Sequence, residues 1–339
     1  MNSLGYQVTE FTDTSISPNQ IFYILEKKTS SSNYWGTYVF SKTPTRNNLI
    51  IQAPHIKYDT NTGKQAIFCF KNTLARALFI SGTHRCNSSS FSSCSGTTST
   101  CGSGSQSYKK SDLAHNVTTM FQKTTENLFT NISNSVFIQL HGFGKKSSDP
   151  YVIMSNGTRD TPATDYASLI KNKLLNEDSS LTFQIAHINK SWTRLIGFTN
   201  TQGRLINNSS NHCNTSASSS TGRFIHIEQE KLKLRNDSNG WTKMSNALKS
   251  VFQSTLSIEK YNLNEAVSVS PNPTFDKVLI SAKDVFQIEV YNLLGQKVFQ
   301  KKFNKVNNPI INFISQSKGI YFLKVKAGNG LALKKVIRL

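Results

Sequence analysis

The sequence predicts an α/β domain, with a mixed, largely parallel sheet flanked by helices, followed by a small β-sandwich. Three observations carry this reading. Between residues 20 and 252 short apolar runs alternate with helix-period segments, the pattern of strands joined by helical crossovers. From Val267 the apolar residues alternate with polar ones, and turn residues separate the runs. A chain of 339 residues is also long enough for two domains, and 37% hydrophobic content with 21 Phe and 11 Tyr can fill two cores. Abundant Ser, Thr and Asn favour sheets and polar loops over a helical bundle.

Residues 21–25, 36–40 and 48–51 are the first strand-like runs, and residues 74–82 (LARALFISG) are another. Residues 86–110 form a Ser/Thr/Gly-rich loop, too long for a plain connector and therefore functional or stapled. Residues 111–130 read as a helix capped by Ser111 or Asp112, with Leu113, Val117, Met120, Phe121 and Leu128 near helical spacing. A buried strand over 135–140 ends at His141-Gly142. Residues 151–155 and 222–228 read as strands, 165–176 and 241–252 as helices. The expected boundaries are 1–258 for the α/β domain, 259–266 for a linker and 267–339 for the sandwich.

Cys86, Cys94 and Cys101 sit in the long polar loop and Cys213 in a similar one, where an exported protein would use them as staples. Five cysteines leave at least one thiol free. Cys69, flanked by Ile67, Phe68 and Phe70, reads as a buried strand residue. No CxxC pair suggests a thiolate zinc site, and no run of 18 apolar residues suggests a membrane span. The start, MNSLGYQVTEF, lacks the basic and apolar regions of a signal peptide, so in an exported protein it would be a trimmed or incomplete start.

The net charge is +20, from 39 Lys+Arg against 19 Asp+Glu. The tail from residue 267 holds 12 basic and 3 acidic residues, so both parts are basic. Such a surface attracts polyanions in general. No basic run interleaved with aromatics marks a specific nucleic-acid groove.

In the tail, residues 267–270, 278–280, 286–291, 310–313, 321–325 and 335–337 alternate as short strands, the pattern of an immunoglobulin-like β-sandwich. Ser270-Pro271-Asn272-Pro273-Thr274, then Val290-Tyr291-Asn292-Leu293-Leu294-Gly295-Gln296-Lys297-Val298, then Gly319-Ile320-Tyr321-Phe322-Leu323-Lys324-Val325 and a basic end at Lys334-Lys335 closely resemble the C-terminal sorting domain of type IX secretion cargo. The resemblance implies that residues 267–339 engage the type IX secretion machinery. The protein is then secreted, or attached at the outer-membrane surface.

Polar clusters interrupt the apolar runs of the first part at Pro54-His55-Ile56-Lys57-Tyr58-Asp59, Gly82-Thr83-His84-Arg85-Cys86-Asn87, Leu140-His141-Gly142-Phe143 and Phe224-Ile225-His226-Ile227-Glu228. Two imidazoles and one carboxylate from separate loops suit a hydrolytic zinc site with one open position. A further carboxylate must then move the proton. In order and spacing these clusters resemble the zinc carboxypeptidase superfamily, including its N-formylglutamate amidohydrolase and polyglutamate hydrolase branches. The resemblance implies a zinc carboxypeptidase-like fold, His55, Asp59 and His141 as zinc ligands, and Glu228 as catalytic base and acid. Carboxypeptidases carry a Glu three residues after the first His, where this chain has Tyr58. Asp59 at four is closer to the amidohydrolase branch. Asp112 or Glu126 are substitutes for Asp59, and His84 or His226 for His55.

Arg85, Asn87 and His84 are candidates to bind the substrate, Arg85 and Asn87 by gripping its carboxylate, with Arg204 and Arg159 as further ones. Asp112 and His115 read as a helix cap and a surface histidine. The expected function is hydrolysis of an amide or peptide bond in a small substrate bearing a carboxylate. The alternative is a non-catalytic surface protein binding acidic polymers. A two-metal nuclease would want more Asp ligands than the clusters offer.

Overall fold

A computed structural model describes residues 4–15, 18–254, 267–328 and 330–339. The chain divides into two compact units, Met1–Thr255 and Leu256–Leu339. The expected boundary at 258 and linker 259–266 lie outside the described residues.

The first unit runs β1 (Tyr6–Asp13), β2 (Gln20–Lys27), β3 (Thr37–Ser41), β4 (Arg46–Ala53), α1 (Thr62–Thr73), β5 (Ala75–Ile80), a short hairpin β6 (Thr97–Thr98) and β7 (Gln106–Ser107), α2 (Met120–Asn131), β8 (Val136–Gly142), β9 (Val152–Ser155), α3 (Tyr166–Glu177), β10 (Phe183–Ile185), α4 (Thr201–Ile206), β11 (Phe224–Gln229) and α5 (Ser238–Val251). Nine strands form one sheet in the order β1-β2-β3-β5-β4-β8-β11-β9-β10.

The sheet is less parallel than the sequence predicts. β5-β4-β8-β11 is a parallel core and β9-β10 a parallel pair. The β1-β2-β3 meander, its join to β5 and the β9-β11 contact are antiparallel. The physical reason is connectivity: among the described residues no helix intervenes between β1, β2 and β3, and a short link returns the chain antiparallel. Cys69 is buried as expected, but in helix α1 rather than a strand.

Side chains of period two sort the core into two layers. On one face Leu49, Ile51, Ile138, Leu140, Ile225 and Ile227 pack with Ala66, Phe70, Ile170 and Leu248 of α1, α3 and α5. On the other, Ile50, Phe137 and Phe224 pack with Phe121 of α2 and Ile206 of α4. Continuing that second face toward the strands' carboxyl ends, the next positions are Gln52 on β4, Gln139 and His141 on β8, and His226 and Glu228 on β11. The same face turns from apolar to polar along its length, which is where a parallel sheet places its chemistry.

Among the described residues, the regular elements of the second unit are all strands: β12 (Ser268–Ser270), β13 (Lys277–Ser281), β14 (Val285–Asn292), β15 (Lys297–Val306), β16 (Ile310–Asn312), β17 (Gly319–Ala327) and β18 (Gly330–Arg338). They form a three-stranded sheet, β12-β13-β16, and a four-stranded sheet, β15-β14-β17-β18. Val278, Ile280 and Ile311 of the first share one apolar core with Ile288, Val290, Leu323 and Val325 of the second. β15 was not expected as a strand. Its lysines suit an edge, where charge discourages further pairing.

Candidate metal centre

His55 follows β4 in a single helical turn. The amides of Tyr58 and Asp59 donate to the His55 carbonyl at 2.9 and 2.8 Å. That turn sets residues four apart on one side, so Asp59 faces His55 while Tyr58 points outward, 43% exposed. His141 stands near the carboxyl end of the neighbouring strand β8. The Gly142 amide donates to Asp59 Oδ2 at 3.1 Å and locks the two segments together. Gly142 has to lack a side chain, because a Cβ there would run into the Arg235 guanidinium. That guanidinium in turn donates to the carbonyls of Thr60, Gln229 and Phe143.

Three atoms converge. His55 Nδ1 and His141 Nδ1 are 3.2 Å apart, and each is 3.5 Å from Asp59 Oδ2. The opposite nitrogens are engaged: His55 Nε2 with Asp112 Oδ1 at 2.9 Å and His141 Nε2 with Gln139 Oε1 at 2.7 Å. A carboxylate and an amide oxygen accept only, so both Nε2 atoms carry the proton and both Nδ1 lone pairs face Asp59. All three residues are buried. Three acceptors aimed at one point in the interior are costly unless a cation or protons share that point.

The surroundings are built with equal care. Asp112 Oδ1 also meets His115 Nδ1 at 2.9 Å, and Oδ2 accepts from Arg85 Nε and Nη2 at 2.9 and 2.6 Å. Arg85 Nη1 lies 3.2 Å from His55 Nδ1. Gln139 is fixed by donating to Gln52 and Gln202 and accepting from Asn200. Tyr108 stacks on His115 with ring centroids 3.6 Å apart. On β11, His226 Nε2 is 3.6 Å from Glu228 Oε1, while His226 Nδ1 and Glu228 Oε2 are buried without a hydrogen-bond partner.

Charge follows from these contacts. Burial would raise the Asp59 carboxyl, but His141 and His55 outweigh it and hold it below the usual carboxylate range. Burial keeps His141 neutral, with a pKa down at about 4, and pushes His226 well below the ordinary histidine value. For His55, burial and Arg85 oppose the charged form, yet Asp112 and Asp59 prevail and its pKa lies above the ordinary value. Burial, then the negative charge of Asp59, push Glu228 up to about 8. A buried carboxyl tuned to the neutral range is the kind of group that transfers protons.

His55, Arg85, His115, His141, His226 and Glu228 share one cavity of about 440 Å³ at the carboxyl ends of β4, β8 and β11. Its roof comes from residues 97–108, held by the disulfides Cys86–Cys101 and Cys94–Cys213, and from residues 193–199. The sequence leaves that pairing open and predicts only that the loops are stapled.

Not every expected residue reaches the cavity. Asn87 is exposed, and His84 accepts from the Cys86 amide and packs edge-on against Tyr58; neither lines it. Arg204 donates to the Phe198 and Cys213 carbonyls and to Ser95, so it clamps the roof loops. Arg159 donates to the carbonyls of Ala186 and Trp192. Glu126 pairs with Lys123 on an exposed helix face. Asp112 and His115 are buried in the centre and not at a surface cap, because the helix expected from residue 111 starts only at Met120, capped by Thr119. Their Asp-x-x-His spacing was the available signal. Tyr108 and residues 193–199 carry none.

The fold and this cluster define an α/β protein with a candidate metal centre at the carboxyl edge of its parallel strands. Residues 268–338 match the family described as secretion system C-terminal sorting domain. The chain therefore carries a type IX secretion sorting domain, and the protein is secreted or displayed at the cell surface. One curated relative, the ulvan lyase NLR42 of Nonlabens ulvanivorans, is 32% identical over 77 residues, 22% of this chain and 14% of that protein. The chain thus spans only a small part of that relative. Among solved structures, a bacteriophage poly-gamma-glutamate hydrolase is similar over 66% of this chain and 90% of its own, at 12% identity and a TM-score of 0.38. A protein assigned as a carboxypeptidase A of Shewanella denitrificans is similar over 73% and 65%, at 11% identity and a TM-score of 0.35. Likeness at these TM-scores carries no weight for the chemistry.

Proposed function

We propose that the first unit is a zinc-dependent hydrolase of amide or peptide bonds, delivered outside the cell by its C-terminal unit. His55, Asp59 and His141 are the metal ligands in this reading. The observation that carries it is the triangle of His55 Nδ1, His141 Nδ1 and Asp59 Oδ2, with sides of 3.2, 3.5 and 3.5 Å. Three ligands of a tetrahedral zinc ion, at bond lengths of about 2.0–2.1 Å, stand roughly 3.3 Å from one another. The donor set fits zinc as well: two imidazoles with one carboxylate, each imidazole oriented from behind by an acceptor.

When bound, zinc would polarise a carbonyl and lower the pKa of water from 15.7 to about 7. The chain's own residues do the rest. Glu228, with one carboxyl oxygen buried and unpartnered, takes the proton from the attacking water and passes it to the leaving nitrogen. Asp112 holds the His55 tautomer, and Gln139 holds that of His141. The cavity walls exclude bulk water from these groups. The two sheets of the second unit are read as an immunoglobulin-like sandwich.

Metal analysis of the purified chain is expected to give one zinc per molecule, lost in His55→Ala and His141→Ala. Glu228→Gln is expected to retain the zinc while amide hydrolysis falls by about 10²–10⁴-fold. A surface adhesin needs no zinc at this point, so a chain without stoichiometric metal would reject the hydrolase reading.

A further inference from the structure

Resting on the hydrolase reading, we propose that the cavity beside the metal centre receives an uncharged group bearing hydroxyls or amides, so that the bond cut is flanked by neutral residues and not by a free carboxylate. This departs from the carboxylate-bearing substrate expected from the sequence. A carboxylate taken out of water needs a guanidinium, an ammonium or several N–H donors to replace its hydration. Among the described residues lining the cavity, Arg85 is the only Lys or Arg. Its Nε and Nη2 both donate to Asp112 Oδ2, at 2.9 and 2.6 Å, and its Nη1 lies 3.2 Å from His55 Nδ1. The positive charge is thus matched by a buried carboxylate, which takes two of the three guanidinium nitrogens. Arg204 and Arg159 are tied to backbone carbonyls of the roof and of residues 186–192. Glu228 adds an acidic group to the same space.

The wall is instead a set of hydroxyls over apolar surface: Thr97, Thr98, Thr100, Thr193 and Thr199, with Phe198. Thr199 Oγ1 and the Tyr108 hydroxyl are 2.8 Å apart, and Thr98 Oγ1 accepts from the Thr100 amide at 3.1 Å. Hydroxyls donate and accept equally well, so they suit neutral polar groups. They offer no net charge to a carboxylate.

The test uses the zinc-loaded full chain and two hydroxamates identical except that one ends in a carboxylate and the other in the corresponding carboxamide. Zinc content is measured first, and less than one zinc per chain removes the hydrolase reading and this proposal with it. With zinc in place, calorimetric titration is expected to give the carboxamide an affinity about tenfold or more above that of the carboxylate, given the penalty on an unpaired buried charge. Equal or tighter binding of the carboxylate, or no binding of either compound, overturns the proposal while leaving the metal centre intact. In Thr97→Lys, at an exposed position of the wall, the carboxylate is expected to gain about tenfold and the carboxamide to stay unchanged. A ratio unmoved by that lysine overturns the assignment of this wall to the ligand.

Discussion

Asp112 organises the centre without being one of its three converging atoms. It accepts from His55, His115 and Arg85 together; burial would raise its carboxyl, but these neighbours outweigh it and hold it well below the usual range. Asp112→Asn keeps the shape but removes the charge that orients His55. Zinc affinity is expected to fall about 10–100-fold, read by competition with a chromogenic chelator. Unchanged affinity would mean that His55 is positioned by packing alone. Gly197 gives a second expectation at this scale. Its φ is +65° and a Cβ there would lie 3.0 Å from the His226 ring. Gly197→Ala therefore combines backbone strain with a close contact, and is expected to destabilise the fold by about 1–2 kcal/mol in urea unfolding. Residue spacing made much of the centre legible. His55 and Asp59 stand one helical turn apart, and a polar His141 and Glu228 each end an apolar run. What spacing does not reveal is which acidic group stands behind a histidine, since Asp112 is 57 residues from His55.

Elements were legible where a period declared them. The strands β4, β8 and β11 and the helices α3 and α5 have clear runs or caps. Helix α1 did not declare itself, because its Ala-Ile-Phe-Cys-Phe core is rich in residues that also suit strands, and its N-cap Asn61 and C-cap Leu74 both adopt left-handed backbone. Strand β1 is almost wholly exposed along its length, so it shows no apolar alternation. Caps, by contrast, can be tested singly. Asp165 caps α3 by accepting from the Ser168 amide at 3.1 Å and also meets His187 Nε2 at 2.9 Å. Burial would raise its pKa, but His187 and Ser168 outweigh this and bring it down to about 2. A depressed carboxyl stabilises the fold above its unfolded value, near 3.9. That contribution is lost as pH falls toward 2. Asp165→Ala is expected to cost about 0.5–2 kcal/mol at neutral pH, and the gap to wild type should close between pH 4 and 2. A gap that persists at pH 2 would contradict the role of the ionised carboxylate.

At the scale of the molecule, two basic units have separate apolar cores. Leu49, Ile138, Ile227 and Leu248 belong to one, Val278, Ile288, Leu323 and Val336 to the other. The candidate metal centre draws all its residues from the first: His55, Asp59, Asp112, His141 and Glu228 all lie within Met1–Thr255. The net charge of +20 is shared between the units, so it reflects the surface of the whole chain and not a device of the first unit alone. Since a unit with its own core can fold alone, a chain ending at Ser254 is expected to stay soluble, bind one zinc and melt cooperatively. Its zinc affinity should match the full chain's within about twofold, a difference of roughly 0.4 kcal/mol. The complementary piece, residues 267–339, is expected to show a strand-rich circular dichroism spectrum and no zinc. If the shortened chain instead aggregates or loses its metal, the sorting unit supplies part of the first unit's stability, and export and the proposed hydrolysis cannot be separable functions of this protein.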